Sequence, residues 1–278
     1  RAYLVEVILL EHNADCGGRE HAVNICSVAG NPGGVIRVTG EGSSLLFGNA
    51  GGTEQAVLSI DGGPDSAFEQ DGGEVKCLST SGKLSVYLGQ ARVNDGIFKL
   101  SGGTFDMGKD DTGEIRVGVC GSGTLEVSGG SILGCRGITL AQNSSEGGVT
   151  TNVFRQTGGI IEMGQGGLGV SQASDPNRNS SVELLDGVMV GKRIQGGGGV
   201  APAAATYSKF YANGGTFRAL DEGCYHKQYP FVDGFLAMEL GPKGLTLDIR
   251  SRCNVTQRFT NRVGETGRLF ITGSGTVY

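Results

Sequence analysis

Asp106, Asp110, Asp111 and Glu114 form the densest carboxylate cluster in the chain, with Lys109 and Arg116 beside them. Carboxylates so close together can hold Ca²⁺ or do general acid/base work, and an adjacent Lys or Arg could act as the base of a polysaccharide lyase. The same residues also suit a simpler role. Asp110 and Asp111 lie in the Gly-flanked stretch GKDDTGE at 108–114, and acidic residues favour solvated turns. The sequence is therefore read as placing a turn there, not a catalytic site.

Other chemistry finds less support. The three histidines, His12, His21 and His226, are expected to lie outside the regular part of the chain, so no Ser/His/Asp or Asp/His set is assigned. Seven cysteines stand at 16, 26, 77, 120, 135, 224 and 253, none in C-x-x-C spacing and none beside a His that would complete a zinc set. They are read as small buried hydrophobes, with Cys16–Cys26 the one candidate disulfide. GGPDSAF at 62–68 resembles a single calcium turn, but without tandem copies it reads as a loop. GGGG at 196–199 lacks the Lys and Ser/Thr of a phosphate loop. No residue is assigned as catalytic, cofactor-binding or metal-binding, and no cofactor is expected.

Composition points to architecture. Of 278 residues 52 are Gly, none is Trp, and the net charge is −5. Glycine at this level accompanies either disorder or a regular solenoid, and regularly spaced Val, Ile, Leu and Phe favour the solenoid. With no Lys/Arg block, nucleic acid is not expected as a partner. The stretch AYLVEVILL at 2–10 is too short to cross a bilayer, so no membrane insertion by this segment is expected either.

The element that must position every side chain is a repeat. FKLSGGTFDMG at 98–108 returns as LEVSGGSILG, FRQTGGIIEMG, VELLDGVMVG and FYANGGTFRAL, and is preceded by AFEQDGGEVKCL. The glycine pair, or Asp-Gly in one copy, begins at 72, 102, 129, 158, 186 and 214, giving intervals of 27 to 30 residues. Period-2 alternation on both sides of each pair predicts strands, with Phe68, Phe98, Leu125, Phe154, Val182 and Phe210 stacked in one inward column. Val75, Phe105, Ile132, Ile161, Met189 and Phe217 form a second column. Leu84/Val86, Ile115/Val117, Ile138/Leu140 and Leu168/Val170 mark a third strand per repeat.

Three short strands per 28 residues predict an all-β, right-handed, single-stranded parallel β-helix of about ten coils, roughly 45–50 Å long at one strand spacing per coil. The whole chain, 1–278, is read as one domain. Residues 1–34 form a cap or first coil, 35–220 the regular coils, and 221–278 C-terminal coils carrying an aromatic insert. That insert, Tyr225, His226, Tyr229, Phe231 and Phe235, could stack on a sugar or cover the core, and packing is the favoured reading.

The C-terminal part resembles the autotransporter-associated β-strand repeat proteins of bacteria. Asn213-Gly214-Gly215-Thr216, then 244–248 with Asn254-Val255-Thr256, then 272–277 follow the order of that repeat over about 211–278. Arg250-Ser251-Arg252-Cys253 replaces the usual Asn-Gly turn. The resemblance implies a secreted or surface-exposed, non-enzymatic β-helix of a bacterial protein: a stiff spacer or adhesive stalk, with a surface glycan as a candidate partner. The alternatives are a carbohydrate-active β-helix enzyme or a self-assembling fibre subunit. The last strand pair, GRLFITGSGTVY, carries no charged or helical cap, so end-to-end stacking of copies is expected there.

Overall fold

Alternation of apolar and polar residues about a glycine turn produces a parallel β-solenoid in the computed structural model. It describes residues 21–26, 34–48, 55–62, 65–79, 83–91, 94–108, 112–143, 148–171, 175–197, 207–220, 231–235 and 237–277. Among them there is no helix, and parallel strands stack at about 28-residue spacing. Where about ten coils are expected, the longest columns among the described residues carry nine members. Sequence steps between equivalent residues reach 38, as from Ile194 to Val232.

Each turn contributes strands to three faces. On the first, Ile36 pairs in register with Phe68, and the column continues through Phe98, Leu125, Phe154, Val182, Phe210 and Met238 to Phe259. From Ile36 to Met238 no member is more than 3% exposed. The second column runs from Leu45 through Val75, Phe105, Ile132, Ile161, Met189, Phe217 and Leu247 to Ile271. Both are the columns expected from the repeat. On the third face the register differs by two residues from the expected one. Val86 and Leu88, not Leu84 and Val86, align with Ile115 and Val117, while Leu84 pairs with Ala56. His21 is also part of this face, in a strand pairing with Ala56–Asp61, so it does not lie outside the ladders.

The core is aromatic at its upstream end, where Phe68 stacks on Phe98 at 5.0 Å and Phe105 meets both rings edge-on. Further on, Phe231 stacks on Phe217 at 4.6 Å and Phe235 meets Phe210 edge-on at 5.5 Å. The described aromatics of the insert thus fill the core. Tyr225, His226 and Tyr229 lie outside the described residues, as do Cys16, Cys224 and the Cys26 side chain.

The two glycines of each turn have different reasons. A Cβ on Gly102 would sit 2.4 Å from the Asp71 carbonyl oxygen of the previous coil, so the first position needs closeness. Gly130, a second-position residue, has φ 69°, where an L side chain is strained. The coil with Asp186 at the first position slips by one residue: Thr157 pairs with Asp186, and the Asp186 carboxylate accepts the Gly187 N–H at 2.7 Å.

Buried polar groups tie the corners together. Gln70 and Gln156 occupy inward positions that neighbouring coils fill with Leu100, Val127 and Leu184. The Gln70 amide nitrogen lies 3.1–3.3 Å from the carbonyls of Gly72, Gly73 and Thr104, and Gln156 repeats this with Gly158, Gly159 and Val188 at 3.2–3.3 Å. Each amide clips its own glycine turn to the next coil. Arg178 is wholly buried and reaches back two coils, donating to the carbonyls of Gly118, Val119, Cys120 and Gly121. Burial pushes the Arg178 pKa down, but these four dipoles solvate the guanidinium where water cannot.

Candidate functional site

Outward positions of the first face carry a column of alternating charge. Arg37, Glu69, Lys99, Glu126, Arg155 and Glu183 stand on successive coils in strict register. Stacking brings opposite charges one strand spacing apart. Glu69 accepts from Arg37 at 2.8 Å and Lys99 at 3.3 Å, while Arg155 pairs with Glu183 at 2.7 Å and Glu126 at 3.8 Å. The Arg37 guanidinium, and after it Lys99, hold the Glu69 carboxyl below its usual range against the opposing effect of burial. Glu183 likewise raises the Arg155 pKa.

Beside this column runs a shallow groove of about 510 Å³. Thr39, Asp71, Ser101, Ser128 and Thr157 line its other side. Such a surface presents hydroxyls and self-neutralised charge in a row, which suits an extended polar ligand. It does not by geometry supply an acid and a base aimed at one point.

The acidic stretch singled out in the sequence is split by the fold. Asp106 ends a strand of the second face, its carboxylate accepting the Gly108 N–H at 3.0 Å. Glu114 and Arg116 lie on the third face, hydrogen-bonded to each other, and the Arg116 guanidinium covers the Tyr87 ring at 4.9 Å. Lys109, Asp110 and Asp111 lie outside the described residues. Each described member is thus committed to a local partner. Cys77, Cys135 and Cys253 are buried, and Cys120 is half-buried. No helix among the described residues is long and apolar enough to cross a membrane.

A second concavity, which sequence reasoning missed, lies outside the third face. Its floor is Gly137, Gly167 and Gly169, its volume about 250 Å³, and Arg136 and Arg193 stand among its lining residues. The signal was available: three glycines at outward strand positions, where other coils carry side chains such as Tyr87 and Arg116. Comparisons with protein-family models, with curated proteins and with solved structures find no significant match.

Proposed function

We propose that this chain is a non-catalytic structural β-solenoid of a secreted or cell-surface protein, acting as a stiff spacer that presents its corner loops and one polar face. The observation that carries the reading is the coupling of an unbroken inward column, Ile36 to Met238, to an outward column of paired charges on the same strands. Bending the rod would have to open both at once. The resemblance of 211–278 to bacterial surface repeats supports the location and the bacterial source, and the groove beside Lys99 supports a surface glycan as a partner.

Leu46 and Thr272 stand in one outward column eight coils apart, which corresponds to about 38 Å at one strand spacing per coil. Dyes placed there through non-natural amino acids should report one narrow distance distribution in single-molecule energy transfer. A broad or multi-peaked distribution in the folded protein would overturn the spacer reading. The rival carbohydrate-active enzyme is tested separately, by incubation with acidic and neutral polysaccharides in the presence of Ca²⁺. No new reducing ends or unsaturated products are expected.

A further inference from the structure

Outside the third face, the three coils that carry Val57, Tyr87 and Val119 are filled. Val57, Tyr87 and Val119 pack into a small buried cluster of their own, capped by the Arg116–Glu114 pair. In the next two coils glycine replaces the outward side chains at all of these positions except Thr139. Gly137 and Gly167 follow Glu114, and Thr139 and Gly169 follow Arg116. Side chains resume one coil on with Arg193 and Gln195. The result is a notch of about 250 Å³, closed along the rod axis by a wall at each end.

Two of the floor glycines are demanded by the backbone. A Cβ on Gly137 would lie 2.5 Å from the Gly167 oxygen, and Gly167 has φ 71°. Gly169 is different. Its φ lies outside the left-handed region, and the nearest atom to an added Cβ is the Gln195 oxygen, at an ordinary 3.9 Å. Its column neighbours are Thr139 and Gln195. A glycine inside a strand weakens it, and is expected where the backbone bulges or where another backbone or a ligand comes close. Among the described residues, neither a bend nor a neighbouring backbone requires one at Gly169. What remains is the open floor itself.

The rim supplies charge of both signs, its one carboxylate among the described residues, Glu114, being held by Arg116. Arg193 is pinned by its Nε on the Gly166 carbonyl at 3.0 Å. Arg136 is exposed and makes no ion pair or hydrogen bond among the described residues. We propose that this notch binds a single sugar ring carrying a carboxylate. The ring lies flat on the glycine floor, its carboxylate meets Arg136 and Arg193, and its hydroxyls meet Thr139 and Gln195. Guanidinium groups recognise carboxylates with paired, directional hydrogen bonds, and a pocket of this size takes one ring, not a through-running chain. The site is independent of the spacer reading, since binding there requires neither stiffness nor turnover.

The test is a ligand-observed NMR titration of the full chain with glucuronate, with glucose and acetate as controls. Saturable glucuronate binding is expected, at least tenfold tighter than either control. Arg136→Gln should weaken it at least fivefold. Gly169→Gln, which installs the side chain found one coil on, should abolish it while leaving the melting temperature unchanged or higher. Absence of glucuronate binding, equal binding of glucose, or binding that survives Gly169→Gln would overturn the proposal. So would a lower melting temperature in Gly169→Gln, because the glycine would then have a structural reason.

Discussion

Asp248 shows how far one residue's charge depends on its neighbours in the ladder. Its carboxylate takes a two-pronged contact from Arg250, at 2.9 and 2.8 Å, and a third from Arg218 at 2.7 Å. Arg250 foremost, and then Arg218, hold its pKa below the usual range against the opposing effect of burial. A depressed folded-state pKa contributes stability above the unfolded value of about 3.9 and loses it as pH falls through the lower folded value. Asp248→Asn should therefore destabilise the protein at pH 7 and flatten the acid limb of its stability curve, as followed by denaturant melts from pH 7 to 2. An acid limb as steep as the parent's would refute this assignment. Thiols give a second residue-scale outcome. Burial pushes the Cys77 thiol up, and Cys135 and Cys253 are equally enclosed, whereas Cys120 is half-exposed. With Cys16, Cys26 and Cys224 changed to Ser, the native protein should show one fast-reacting thiol towards an aromatic disulfide, and Cys120→Ser should remove it. The inward Phe and Leu residues were legible in the sequence because period-2 alternation is a direct record of which side faces the core. Gln70 and Gln156 were not, since their roles depend on carbonyls that only the turn geometry brings within reach. Their recurrence at one slot of the repeat was the overlooked sign.

At the scale of the strand and its turn, the glycine pair and the charge column fix the register together. Gly130 has φ 69°, and a Cβ there would fall 2.6 Å from the Gly103 oxygen. Gly130→Ala should therefore destabilise by more than about 1 kcal/mol, measured as a shift in denaturation midpoint. A neutral result would remove the close-approach argument for the turn. Arg155→Glu would put three carboxylates on successive coils, Glu126, the new residue and Glu183. A cost of about 1–2 kcal/mol is expected, partly relieved by added salt, because each like-charge neighbour in a ladder costs a few tenths to one. The first two faces could be aligned from the sequence because the glycine pair marks each turn. The third could not be placed to the residue. Its distance from the glycine pair changes with the loop between them, as the two-residue offset at Val86 shows. Outward columns are legible only after the inward ones are aligned, which is why neither the charge alternation nor the glycine notch was evident beforehand.

For the whole molecule, one end of the described ladders differs from the rest. Leu269, Phe270 and Ile271 are 36–55% exposed, although Leu247, the column neighbour of Ile271, is fully buried. Such a surface favours another layer of the same geometry, and we expect head-to-tail association of the 278-residue chain. Sedimentation velocity should show mass rising with concentration, and Ile271→Arg should suppress it. A monomer at all concentrations would count against stacking. The all-β class and the stacking of coils were evident from the repeat, since a fixed period with strand-like alternation leaves few architectures. The length of each coil was not, because the step between paired residues runs from 21, Met238 to Phe259, to 38, Ile194 to Val232.

Arg178 gives the rod a memory longer than one repeat. In a simple solenoid each layer is held only by its immediate neighbours, so unfolding can propagate and stop at any boundary. The guanidinium of Arg178 skips over the coil containing Asn152 to hold the corner at 118–121. Separating those layers would strand a cation among dry carbonyls, so they must open in concert or not at all. The middle of the molecule thus behaves as one indivisible block. A deletion between 122 and 178 would therefore not be tolerated.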